Sequence, residues 1–136
     1  KFYESLQNLL KNPEFVNYIR KKKINDPLKE LTIKPNNSFI ITYDYSDKKG
    51  QNYCLPHFDG KDVELSIIIN LSSPDIDFEG GGTVFYENKE SKKNSIISRP
   101  KKGYSLIFDG GNIWHSGKAI TSGKRYVIVS FWIKKK

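Results

Sequence analysis

Methionine is absent from this 136-residue chain, cysteine occurs once and histidine only twice. The lone Cys54 excludes an internal disulfide framework and a cysteine-rich zinc site, since both need several thiols. Without methionine there is no adaptable Met-rich binding surface. No stretch approaches the ~20 consecutive apolar residues of a membrane-spanning helix, so no membrane span is expected. No secretory signal opens the chain, which starts at Lys1 as a fragment or mature form would, and localisation stays open. The length suits one domain with its own hydrophobic core.

Charge is lopsided: 23 Lys+Arg against 15 Asp+Glu give a formal +8. Clustered cations attract polyanions. The lysine runs, at Arg20 to Lys23, Lys92-Lys93 and Lys134 to Lys136, fall at expected element ends. No aromatic residues interleave them as in single-strand binders, so they read as solvated surface and argue against a nucleic-acid partner. An enzyme acting on a flipped base would also need a stacking pocket, and no such element is identifiable.

Residues 1–37 read as supporting helices. Phe2, Leu6, Leu9 and Leu10 recur at helical spacing, and Asn12-Pro13-Glu14 forms a second helix start. Asn25-Asp26-Pro27 breaks that helix, with one further short turn around Leu28 and Leu31. From Ser38 the texture becomes β-branched and aromatic, and residues 38–136 are expected to form the core. Strands are predicted at Phe39 to Tyr43, Val63 to Leu71, Thr83 to Tyr86, Ser95 to Ser98, Tyr104 to Phe108 and Tyr126 to Ile133. Turns are predicted at Ser46 to Asn52, Ser72 to Gly82, Asn88 to Asn94, Asp109 to Asn112 and Thr121 to Lys124. Many short strands at regular spacing imply a mainly β fold with flanking helices, a sandwich or jelly roll.

Both histidines fall in one constellation: His57 and Asp59 in Pro-His-Phe-Asp, then His115, with Arg125 ten residues later. Residues two apart on a strand share a face, so His57 and Asp59 can reach one ion. Two histidines and a carboxylate make a facial triad with open positions, suited to Fe(II), Mn(II) or Zn(II). Arg125, on the strand after His115 and pointing inward, would be a buried cation needing an anion. Its planar fork matches the far carboxylate of a dicarboxylic co-substrate. Tyr43 is placed to donate a phenolic hydrogen bond to the same carboxylate. The run Glu79-Gly80-Gly81-Gly82 has no following Lys-Ser/Thr, so it reads as a loop entering a strand near the site rather than a phosphate cradle.

From Phe39 to Trp132 the chain resembles the 2-oxoglutarate- and Fe(II)-dependent dioxygenases, and within them the catalytic domain of procollagen-lysine hydroxylases. The matching stretches are Phe39 to Tyr43, Leu55-Pro56-His57-Phe58-Asp59, Asp77 to Gly82, Pro100 to Leu106, His115, and Thr121 to Phe131. The resemblance implies a double-stranded β-helix, iron on His57, Asp59 and His115, and 2-oxoglutarate on Arg125 with Tyr43 assisting. It implies a dioxygenase that couples decarboxylation of 2-oxoglutarate by O2 to hydroxylation of a peptidyl side chain, most readily a lysine in collagen-like sequence. Ascorbate is the expected rescuer of oxidised iron. The segments Ser46 to Asn52 and Gly60 to Val63 depart from the family pattern and carry charge of both signs. A peptidyl-proline hydroxylase is the alternative within the superfamily. A cupin-like metal enzyme without 2-oxoglutarate is the alternative outside it, and that class has no use for an inward Arg125.

Overall fold

The computed structural model describes Pro13 and residues 24–47, 52–90 and 94–136. Two compact units divide the chain: Lys1–Thr32 with Lys134–Lys136, and Ile33–Ile133. The first contains a single described helical turn, α1 (Pro27–Glu30). Its start is well capped. Asp26 Oδ1 accepts from the Lys29 amide at 3.2 Å, and Glu30 Oε1 accepts from the amides of Asn25 and Asp26 at 2.8 and 2.7 Å. Pro27 takes the first helical position, where a missing N–H is no loss. The helices expected within residues 1–23 lie outside the described residues, apart from Pro13.

The strands are β1 (Leu31–Asp44), β2 (Cys54–His57), β3 (Leu65–Asn70), β4 (Phe78–Gly80), β5 (Thr83–Tyr86), β6 (Ser95–Ser98), β7 (Ser105–Phe108), β8 (His115–Gly117) and β9 (Ile120–Lys134). One sheet runs β1-β9-β3-β7, with β4 also pairing β9; the other runs β2-β8-β5-β6. This is a jelly roll, a double-stranded β-helix. The core packs Tyr43, Val63, Ile68, Phe78, Phe108, Ile120, Val127, Val129 and Phe131 together. Phe85 of the smaller sheet reaches across to Phe108 of the larger, edge to face with centroids 4.9 Å apart. Alternation along β9 decides what enters the interior. Arg125, Val127, Val129 and Phe131 share one parity, and all four are buried.

Three expectations are corrected. Strand character begins at Leu31, not Ser38, because the polar stretch through Asn36 and Asn37 still runs along a sheet edge. The turn predicted at Ser72 to Gly82 contains β4. The turn predicted at Thr121 to Lys124 is strand: β9 starts at Ile120, and β8 pairs with β2 and β5 rather than with β9. Gly123 misleads the sequence reading. It faces Phe78 across the β4–β9 ladder with φ at +73°, and a Cβ there would collide with the Asp77 carbonyl. The glycine marks a close approach of two backbones, not a reversal of the chain.

Ile120 is 1% exposed within this core, whereas Ile96 is 72% exposed. Ile120→Ala is expected to destabilise the fold by about 2–5 kcal/mol. Ile96→Ala should stay within about 0.5 kcal/mol. Urea midpoints of the two variants check the difference.

Candidate metal centre

The antiparallel register of β2 and β8 sets His57 directly opposite His115. Their rings lie 4.5 Å apart between centroids. Asp59 follows two residues after His57, and its Oδ1 sits 3.1 Å from His57 Nε2 and 3.4 Å from His115 Nε2. One ligand atom from each of the three residues lies within 4.8 Å of the others. The residues beside them face away: Phe58 meets Trp114 edge-on, with centroids 4.7 Å apart.

Both imidazoles are wired alike. His57 Nδ1 lies 2.7 Å from the Leu55 carbonyl and His115 Nδ1 2.8 Å from the Ile113 carbonyl, each two residues back. A carbonyl only accepts, so Nδ1 carries a proton, and Nε2 is the nitrogen that each ring turns to the centre. A backbone partner on the far nitrogen is the usual orienting device for a metal-binding histidine. Two imidazole Nε2 atoms and a carboxylate converging on one point fit a divalent first-row metal.

The local electrostatics have the same sense. The hydrogen bond with Asp59 pushes the His57 imidazole up to about 10, aided by Cys54 and the Leu55 carbonyl against the effect of burial. Burial alone would raise the Asp59 carboxyl, but hydrogen bonds with His115, His57 and Ser66 outweigh it and hold the group well below the usual carboxylate range. Asp59 is therefore an anion at neutral pH, with its side chain only 3% exposed. A divalent cation bound there would take the place of the ring proton that Asp59 stabilises.

Arg125 lines the same cavity, which has a volume of about 180 Å³. Its residue exposure is 2%. The guanidinium lies 5.2 Å from the Tyr43 ring centroid and 5.9 Å from that of Phe78. Nη1 donates to the Gly82 carbonyl at 3.3 Å, while Nε has no partner. Among the described residues no carboxylate pairs with it, and burial lowers its proton affinity. Tyr43 is 4% exposed and also lines the cavity; burial raises its phenol, opposed by the Arg125 charge. The glycine run Gly80 to Gly82 thus does come near the site, through the Gly82 carbonyl.

Other contributors escaped the sequence reading. Ser66, fully buried, donates from Oγ to Asp59 Oδ2 at 2.5 Å. Gly110 accepts from the Asp59 amide at 2.9 Å through its carbonyl. Cys54 and Thr83 line the cavity, and Phe108 stands edge-on to His115 at 4.7 Å. A hydroxyl inside the otherwise apolar run Leu65 to Ile69 and the Gly110-Gly111 doublet were the available signals.

The profile of the 2OG-Fe(II) oxygenase superfamily matches residues 40–134. The chain belongs to that superfamily. Over 95 residues it is 35% identical to the multifunctional procollagen lysine hydroxylase and glycosyltransferase of Homo sapiens, and 33% identical to procollagen-lysine,2-oxoglutarate 5-dioxygenase 1 of Gallus gallus. Each alignment covers 69% of this chain, and the chain spans 12% of each relative's length. Among solved structures, an oxidoreductase of the 2OG-Fe(II) oxygenase family from Burkholderia pseudomallei superposes with a TM-score of 0.59 at 18% identity, covering 96% of this chain and 55% of that one. A viral collagen prolyl hydroxylase from Paramecium Bursaria Chlorella virus-1 gives 0.55 at 19% identity, covering 90% and 68%. These last two likenesses establish the jelly-roll fold.

Asp59→Ala removes the carboxylate that faces both histidines. The variant is expected to retain less than about a hundredth of the wild-type affinity for Fe(II) or Mn(II), beyond the roughly 10- to 100-fold that loss of an outer partner costs. Anaerobic titration calorimetry, with circular dichroism to check folding, reads the result.

Proposed function

We propose that this chain is an Fe(II)- and 2-oxoglutarate-dependent dioxygenase that hydroxylates a peptidyl side chain, with lysine in collagen-like sequence as the leading target. The observation that carries the reading is Arg125, a buried guanidinium with no carboxylate partner among the described residues, in one cavity with His57, Asp59 and His115. A metal site alone would suit many reactions. An inward cation beside it calls for an anionic co-substrate, which a cupin-like enzyme working on the metal alone would not need.

In this reading His57 Nε2, Asp59 Oδ1 and His115 Nε2 hold Fe(II). When bound, the iron and 2-oxoglutarate together supply the oxidising chemistry, consuming O2 and releasing succinate and CO2 as a C–H bond is hydroxylated. The chain's own residues position and shield. Arg125 anchors the far carboxylate, its fork ready for two parallel hydrogen bonds, and the Tyr43 hydroxyl assists. The Leu55 and Ile113 carbonyls keep both imidazoles in the tautomer that binds metal. Ile68, Val127, Val129 and Phe131 give the cavity apolar walls that keep bulk water from the reacting centre. Ascorbate is proposed as the reductant that returns oxidised iron to service.

Lysine leads because both named relatives are described as procollagen lysine hydroxylases and share about a third of the aligned residues. A prolyl target is the second reading, and the cavity lining favours it. Asp59, committed to the histidines and Ser66, is the one carboxylate among the lining residues, so none there is left to meet an ammonium. Phe39 and Ile41 of β1 add apolar surface that suits a pyrrolidine ring.

Two measurements test these assignments. Arg125→Ala should raise the 2-oxoglutarate KM by about 10²-fold or more, since breaking a desolvated ion pair costs roughly 3–5 kcal/mol. Unchanged succinate production at limiting 2-oxoglutarate would move the anchor to another cation. Mass spectrometry of Gly-X-Y peptides after turnover should show a gain of one oxygen on lysine-containing sequences. Oxygen gained on proline-containing peptides alone would replace the lysyl assignment and leave the oxygenase reading standing.

A further inference from the structure

Asp59 has two oxygens, and the structure assigns them different tasks. Oδ1 faces both histidine Nε2 atoms, at 3.1 and 3.4 Å. Oδ2 turns the other way and accepts from Ser66 Oγ at 2.5 Å. Ser66 is 0% exposed on β3, between Phe108 of β7 and Phe131 of β9 in the ladder, so its hydroxyl cannot swing out to water. A short hydrogen bond from a hydroxyl to a carboxylate is among the strong ones.

Gly110 closes the device from the other side. A Cβ built there would collide with both Ser66 Oγ and Asp59 Oδ2, and would come within 2.8 Å of Ser66 Cβ. The Gly110 carbonyl meanwhile accepts from the Asp59 amide at 2.9 Å, fixing the backbone that carries the carboxylate. This glycine is required for room, not for an unusual backbone angle. Ser66 and Gly110 thus leave the carboxylate one orientation.

We propose that Ser66, with Gly110, is a positioning residue that restricts Asp59 to a one-oxygen ligand. The proposal rests on the reading that His57, Asp59 and His115 bind the metal. Carboxylates bind metals through one oxygen or through both. On a six-coordinate ion, a two-oxygen Asp59 would take four positions together with the histidines and leave two. A chelating 2-oxo acid would then fill both, with no position left for O2. With Oδ2 held by Ser66, three remain.

The test uses Mn(II) as a redox-silent probe, with anaerobic calorimetry on the whole chain. Ser66→Ala is expected to weaken Mn(II) binding about 10- to 100-fold, as loss of an orienting partner does. At saturating Mn(II) and 2-oxoglutarate, wild type should keep one position on the ion open to exchanging water, read as paramagnetic relaxation of the solvent protons, and the variant should lose most of that relaxation as the freed Oδ2 fills the position. A purely structural role for Ser66 would not move this second readout. Ser66→Cys keeps a weaker donor and should fall between wild type and alanine in both readouts, and it carries the test if the alanine variant does not fold. Gly110→Ala, which forces the pair apart with Ser66 present, should reproduce the alanine phenotype. Wild-type water relaxation in the folded Ser66 variants overturns the proposal. Wild-type Mn(II) affinity in Asp59→Ala would instead overturn the metal reading beneath it.

Discussion

Sealing the Arg125 guanidinium inside the jelly roll sets conditions that much of the interior must meet. Burial of an unpaired cation is expensive, by several kcal/mol even after relaxation. The protein surrounds it with what attraction apolar neighbours can give: the ring faces of Tyr43 and Phe78 and the carbonyl of Gly82. Tyr43 comes from β1, Phe78 from β4 and Gly82 from the approach to β5. Three segments remote in sequence must therefore close on β9 before the charge is even partly compensated. The β4–β9 contact, where Gly123 lets two backbones approach, is part of that closure.

The same cavity holds a second, opposite problem. Asp59 is an almost fully buried anion, and it is satisfied more completely, by Ser66 and by two imidazoles. The interior thus contains a well-held anion with histidines around it and a cation with spare donors. Charge placed this way does little for the fold, since buried ions seldom repay their desolvation. It makes sense as preparation for a ligand set that carries positive charge at one end of the cavity and negative charge at the other.

Much of this was legible in the sequence because it depends on local pattern. β-Branched and aromatic texture between turn signals gave Thr83 to Tyr86 and Ser95 to Ser98 with their observed bounds, and the His-x-Asp spacing placed two side chains on one side of a strand end. What stayed hidden depends on register between distant strands. No local signal says that β8 should lie between β2 and β5, because His115-Ser116-Gly117 is too short to show a period. Gly123 carries the same letter whether it permits a turn or a backbone crossing. Ser66 gains its importance only from Asp59 and Gly110, residues that strand pairing and a turn bring to it. The β1 edge was misjudged because an edge strand tolerates Pro35, Asn36 and Asn37, which a central strand would not.

The two histidines are not equivalent. His115 sits on a strand paired on both sides, its side chain 5% exposed; His57 ends a four-residue edge strand paired on one side, its side chain 39% exposed. Short, singly paired edges open first in local fluctuations of a sheet. An ion held here therefore has a front door. It would arrive at His57 last and leave through it first, with Asp59 and His115 remaining as a half-site in the wall behind. Exchange of an ion at this site would then follow the fraying of β2, a property of the edge strand that can vary without altering the buried half of the site.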